Sequence, residues 1–214
     1  MAKILAFEGN KQSPPDNIMR KVLGRPSNAN LRSREYLTLD EVQALMKAAG
    51  NTGRHTHRDR TLILTMFRHG LRVSEAVDLK WDQVDFKAGS IHINRLKNGK
   101  SATHYLEGDE MRALRRLRRE SPKNPFIFLS ERGGPLTRST VNKLVERGGR
   151  EAEIEFPVHP HMLRHACGYY LANKGIDTRT IQDYLGHVSI THTVRYTELS
   201  PNKFKDLWSQ ARRP

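Results

Sequence analysis

The apolar period of this chain changes once, and that change limits the folds open to it. Ser90-Ile91-His92-Ile93-Asn94-Arg95-Leu96 alternates apolar and polar residues, the pattern of a half-buried strand. Ser101–Leu106 reads as the return strand, with Asn98-Gly99 expected to supply the two positive-φ residues of a tight hairpin turn. On both sides of this hairpin the spacing is helical. Thr38-Leu39-Asp40-Glu41 is a capping box, followed by Val42, Leu45, Met46 and Ala49 on one face and by Gly50 at a natural stop. A second helix is expected from about Asp59 to His69, burying Leu62, Ile63, Met66 and Phe67 and ended by Gly70. A short third one begins near Val73. After the hairpin, Asp109–Glu120 carries an apolar stripe of Met111, Leu114 and Leu117. Phe126–Leu129 reads as a short strand or extended edge, and Thr137–Val145 as a helix. Pro160 suits the first turn of a helix reaching about Lys174 and stopping at Gly175. Asp177 or Thr178 caps the next, which Gly186 ends. The expected fold is therefore mainly α with a small β-hairpin or three-stranded sheet, an α+β domain.

Charge narrows the function. Lys and Arg number 37 against 23 Asp and Glu among 214 residues, a formal +14 that predicts a polyanionic partner. No apolar run approaches the roughly eighteen residues of a membrane span, and Met1–Lys11 lacks the apolar core of a signal peptide. The single cysteine, Cys167, excludes an intrachain disulfide and a cysteine-cluster zinc site. A reduced, cytoplasmic, basic protein without membrane association is the expectation. Residues 1–35 are Pro-, Ser- and Asn-rich and read as a basic, flexible arm. Residues 36–200 read as the folded domain, and 201–214 as an amphipathic C-terminal helix with Phe204, Leu207 and Trp208 on its apolar side.

Several polar groups stand where a fold alone would not require them. Arg72 lies in Gly70-Leu71-Arg72-Val73-Ser74-Glu75, at a helix junction. In His161-Met162-Leu163-Arg164-His165, His161 and Arg164 are three residues apart and so share a helix face. His187 follows Leu185-Gly186 just past a helix end, and Tyr196 lies nine residues beyond it. Two arginines, two histidines, a hairpin lysine and a tyrosine suit the chemistry of a phosphodiester.

These stretches, together with the hairpin around Lys97, resemble the catalytic domain of the tyrosine recombinases, the lambda-integrase-type site-specific recombinases. The resemblance runs from Tyr36 to Trp208 in the family's order, and His159–Gly168 and Ile176–His187 look most like the short recombinases that invert fimbrial promoter segments. It implies cleavage and rejoining of DNA through a 3′-phosphotyrosyl intermediate, with no cofactor and no metal. Arg72 and Arg164 would donate forked hydrogen bonds to the non-bridging oxygens, which lysine cannot match in geometry. His187 would add a donor, Tyr196 would attack phosphorus, His161 would serve as base, and Lys97 would protonate the leaving 5′-oxygen. Glu75 would orient an arginine or histidine. Lys100, Arg95, Arg115, Arg116 and Arg119 are candidate DNA contacts. The family further implies double-stranded DNA with inverted-repeat half-sites, a dimer on each site, a tetramer in synapsis, and DNA-bending accessory proteins. Only about 35 residues precede Tyr36, too few for the separate N-terminal helical domain that many members carry; a naturally short member or a fragment are both open.

Blander readings stand beside these. Arg72 and Glu75 could form a surface pair, Lys97 could guard a strand edge or yield its acid role to Lys100, and the arginine face at 112–119 could be solvated. His161 and His165 have zinc-binding spacing, but Met162 occupies the place of the zincin glutamate. His165 reads as a packed or hydrogen-bonded helix residue. For the whole chain, the alternatives are a type IB topoisomerase, a non-catalytic DNA clamp, and a histidine-ligated metal hydrolase.

Overall fold

The computed structural model describes residues 34–96, 99–120 and 123–198. The arm expected at 1–35 therefore lies outside the described residues, except for Arg34 and Glu35. So do Lys97, Asn98 and the expected 201–214 helix. Among the described residues are eight α-helices and one small sheet.

Helix α1 (Leu39–Asn51) starts on the predicted box: Glu41 N–H donates to Thr38 Oγ1 at 3.3 Å, and Thr38 N–H donates to Glu41 Oε2 at 2.8 Å. Arg34 also pairs with Glu41. Helix α2 (Thr56–Arg68) begins three residues before the expected Asp59, which is itself buried in the first turn against Arg58. Gly70 ends the junction at φ 55°, and a Cβ there would stand 2.3 Å from Leu185 Cδ2, so conformation and close approach both demand glycine. Helix α3 (Val73–Val77) follows directly.

Strands β1 (Val84–Asp85), β2 (Ser90–Ile93) and β3 (Ala102–Tyr105) form an antiparallel sheet in that order. Ile93 lies opposite Ala102, where the pairing ends, and beyond it Gly99 donates its amide to the Leu96 carbonyl at 3.3 Å. The expected Asn98-Gly99 turn falls partly on Asn98, outside the described residues. His104 anchors β3 from within, 3.1 Å from His69 Nδ1, while His69 Nε2 meets Glu110 at 3.2 Å.

Helix α4 (Gly108–Glu120) buries Leu114 and Leu117 as expected. The 126–129 segment is extended, bridging Lys80 through Phe126 and Pro135 through Leu129. Helix α5 (Arg138–Glu151) runs past the expected Val145, and its Gly148 and Gly149 are buried beneath Leu45 and Val158. Helix α6 (Pro160–Asn173) is the central one, buried on nearly every side, and α7 (Thr178–Leu185) is capped by Asp177 and closed by Gly186 in the left-handed region. Helix α8 (Thr191–Glu198) was not expected: its buried residues are Thr193 and Tyr196, which give no apolar period. The core of Leu45, Leu62, Ile63, Met66, Phe128 and Leu163 ties α1, α2 and α6 together. No helix among the described residues is long and apolar enough to cross a membrane.

Candidate active site

The site is built on the α2–α3 junction, the first turns of α6, and the turn from α7 into α8. Arg72 is the N-cap of α3, and both its amide and its guanidinium donate to Glu75, at 2.9 and 2.7 Å. Glu75 is buried and also accepts from Arg95 Nη1 at 2.9 Å and from the Leu96 amide at 3.2 Å. Burial would raise its carboxyl, but the Arg72 amide and the Arg95 guanidinium outweigh that and hold it below the ordinary carboxylate value. Glu75 thus links Arg72 to Arg95 and to the Leu96 amide of the hairpin.

Arg164 is 1% exposed, and its guanidinium donates to the carbonyls of Gly70 (2.5 Å) and Leu185 (2.8 Å). These bonds use two of its five N–H groups. Burial, then the charges of Arg72 and Arg95, bring its pKa down to about 10. His187 is buried with Nδ1 2.8 Å from Thr193 Oγ1, while buried Gln182 donates to the carbonyls of His187 and Val188. Burial and the nearby Arg164 and Arg72 depress the ring to about 3, so it is neutral at pH 7. In the tautomer in which Thr193 donates to Nδ1, the ring carries its proton on Nε2 as a hydrogen-bond donor.

Tyr196 is 1% exposed. Its ring is seated on the backbone of α6, where a Cβ on Gly168 would stand 2.6–2.8 Å from three ring atoms, and it meets Tyr169 edge-on at 5.0 Å. Burial raises the phenol to about 12, against the pull of Arg164 and Arg195. Its hydroxyl lies 2.9 Å from His165 Nδ1. The imidazole on the tyrosine in this structure is His165, one position past Arg164 and read from sequence as a packed or hydrogen-bonded residue; no hydrogen bond joins Tyr196 to His161 among the described residues. His161 stands exposed in the first turn of α6, edge-on to His165 at 4.5 Å. The surrounding protein and the cations Arg164, His159 and Arg72 lower it to about 4, and burial brings His165 to about 3.

The remaining predicted residues separate. Lys97 lies outside the described residues. Arg95, expected on DNA, has a side chain closed to solvent and spent on internal acceptors, so it cannot reach a phosphate backbone. Lys100 is exposed, 3.8 Å from Asp183. On α4, Arg115 lies over Phe86, Arg116 pairs with Glu120, and Arg119 is exposed. What the structure adds is a groove of about 650 Å³ whose walls include Arg72, Ser74, Arg138, Asn142, His159 and His161. Arg138 and Asn142 are surface residues of α5 whose relevance appears only once α5 and α6 are packed. Among the described residues, no group of three His, Cys, Asp or Glu side chains could hold a metal ion.

Guanidinium groups and a tyrosine gathered in this way are the side chains that phosphoryl transfer on DNA would call for. Residues 35–203 match the phage integrase family. The type 1 fimbriae regulatory protein FimB of Escherichia coli K12 is 44% identical over 191 residues, covering 87% of this chain and 95% of that protein. Tyrosine recombinase XerD of Mycobacterium tuberculosis is 34% identical over 199 residues, covering 87% of this chain and 64% of that one. The crystal structure of the XerH site-specific recombinase bound to difH substrate, a pre-cleavage complex, matches with a TM-score of 0.66 at 25% identity, over 82% of this chain and 53% of that one. The chain belongs to the phage integrase family, and it is a site-specific recombinase of the tyrosine class.

Proposed function

We propose that Tyr196 cleaves one strand of a recombination site while Arg72, Arg164 and His187 hold the scissile phosphate. The Tyr196 oxygen bonds to phosphorus, the bond from phosphorus to the 5′-oxygen breaks, and the chain is left joined to the 3′ end. The phenolic proton passes to His165, which holds the hydroxyl at rest, and Lys97 returns a proton to the 5′-oxygen. His161, exposed at the groove, stands ready as a further phosphate contact or base. A phosphate entering beside Arg72 and Arg164 offsets the charges that depress the imidazoles, so the site gains basicity when DNA binds. Because Tyr196 is 1% exposed, attack also requires it to leave its seat on α6 toward the groove.

The observation that carries this reading is the joining of Arg72, Arg164, His187 and Tyr196 through Gly70, Leu185 and their neighbours, four elements converging from distant parts of the chain. Near full-length similarity to a fimbrial regulatory protein favours inversion of a DNA segment between inverted half-sites, in the bacterial cytoplasm. The resemblance to XerH bound to its difH substrate supports DNA as the partner. The dimer on each site, the tetramer in synapsis and the bending proteins alongside belong to this proposal through the family resemblance alone.

The test is a nicked duplex carrying the inverted repeats beside the gene, incubated with protein in EDTA and resolved on a denaturing gel. A covalent adduct that vanishes in Tyr196→Phe is expected. Tight, salt-dependent binding without any adduct would leave a non-catalytic DNA clamp as the better description. Relaxation of supercoils without sequence preference would point instead to a topoisomerase.

A further inference from the structure

We propose that Arg95 is a positioning residue for strand cleavage, setting where the two phosphate-binding arginines stand relative to each other and tying both to the hairpin. The proposal rests on the recombinase reading above and deepens it.

Four acceptors surround the Arg95 fork. Nη1 donates to Glu75 Oε2 at 2.9 Å and to the Gly70 carbonyl at 3.2 Å; Nη2 donates to the carbonyls of His69 at 2.8 Å and Tyr184 at 2.7 Å. Two of these acceptors are shared with the site. The other oxygen of Glu75 takes Arg72 Nη1, and the Gly70 carbonyl takes Arg164 Nη1 at 2.5 Å. Arg164 Nη2 is held by Leu185, the residue after Tyr184. Each phosphate-binding arginine is therefore one acceptor away from Arg95, which among the described residues spans both.

Stability by itself gives no reason for this choice. A third guanidinium beside Arg72 and Arg164 leaves two net positive charges around Glu75, and Arg95 Nε is buried without a partner. Replacing such a buried ion by an apolar side chain is often neutral or stabilising for a fold. What an apolar residue cannot do is hold four acceptors in one plane. Lysine cannot either, since its donors radiate from a single point. The cost is consistent with a residue kept for the geometry of the site. The Leu96 amide on Glu75, next in sequence, places the hairpin under the same constraint.

The experiment compares wild type, Tyr196→Phe, Arg95→Lys and Arg95→Met in single-turnover cleavage of the nicked duplex described above. A second duplex carries a methylphosphonate at the scissile position, so that one non-bridging oxygen is replaced and the arginine clamp matters less. DNA affinity is measured separately, and circular dichroism reports folding. On the phosphodiester, Arg95→Met is expected to slow cleavage about 100-fold and Arg95→Lys about tenfold, with affinity changed less than about threefold. On the methylphosphonate, the Arg95→Met deficit should shrink to under about tenfold. Unimpaired cleavage by Arg95→Met, or an equal deficit on both duplexes, overturns the proposal, because a purely structural lesion does not distinguish the substrates. A wild-type protein that forms no adduct overturns the recombinase reading instead. Arg95 is then judged on the side-chain Nε–H resonances of Arg72 and Arg164 in the free protein: both shift in Arg95→Met if Arg95 positions them, and unchanged resonances refute it.

Discussion

Arginine is used in two opposite ways in this molecule. On α4, Arg112, Arg115, Arg116, Arg118 and Arg119 all face water. Arg118 lies over Phe86 at 5.5 Å and Arg116 reaches Glu120 at 3.1 Å, contacts that leave the charges solvated and screened. Around Glu75, Arg72, Arg95 and Arg164 are drawn into or against the interior, where they donate to named carbonyls and a carboxylate. In water a guanidinium can take many geometries at almost equal free energy. Inside, every N–H left without an acceptor costs, so one geometry survives, and a fixed geometry is what a transition state needs. Five arginines stand in the first region and three in the second, out of 37 lysines and arginines, and only the second set is held in fixed geometry by internal acceptors.

That contrast can be broken by experiment, starting with the largest effect. Tyr196→Phe keeps the ring on Gly168 but removes the attacking oxygen; covalent adduct should disappear from a denaturing gel while DNA affinity is retained, and residual adduct would move the nucleophile elsewhere. Arg164→Lys should lower single-turnover cleavage by about 10²–10³, because one ammonium cannot reach the Gly70 and Leu185 carbonyls and still grip phosphate with a fork. A small effect there would put Arg164 with the α4 arginines.

Acid should undo the interior before the surface. His104, His165 and His187 are buried and each depressed to about 3. Between their unfolded value and that figure the unfolded chain binds more protons, so stability is fully present above about pH 6.5 and falls as pH drops toward 3. Each group contributes a slope of up to about 1.4 kcal/mol per pH unit in that window. Urea denaturation at pH 7 and pH 5 measures it, and equal stabilities would mean the imidazoles are not held neutral. Gly168→Ala should destabilise by about 1–3 kcal/mol through overpacking against Tyr196, seen as a lower Tm together with a more solvent-exposed tyrosine. Smallest of all, Arg116→Ala should change stability by less than about 0.5 kcal/mol and leave cleavage unaltered; a large loss would show that α4 takes part in the reaction.

Much of this was legible in the chain because local rules carry it. The Thr38–Glu41 box, Asp177 and Gly186 mark helix ends through hydrogen bonds between near neighbours, and the structure has those bonds. Helix α8 escaped notice because its buried side chains are a threonine and a tyrosine, which read as polar until His187 and His165 stand beside them. The inward course of Arg95 escaped the alternating pattern for a related reason: its acceptors on Glu75, Gly70, His69 and Tyr184 lie 20 or more residues away in sequence.

By itself the sequence determined the helical frame with its one small sheet; its +14 charge implied a polyanionic partner, and its family resemblance singled out Arg72, Arg164, His187 and Tyr196 as a set. Those properties follow from periodicity, net charge and residue chemistry, which are local or additive along a chain. Which imidazole meets the tyrosine was decided only in three dimensions. So was the fact that Arg95 faces inward, and that Arg138 and Asn142 share a groove with Arg72. His161 and His165 differ by one turn of a helix, and Arg95 and Lys100 flank one hairpin; only the packing of α2, α6 and α7 around them selects which side chain loses its water and gains a fixed partner.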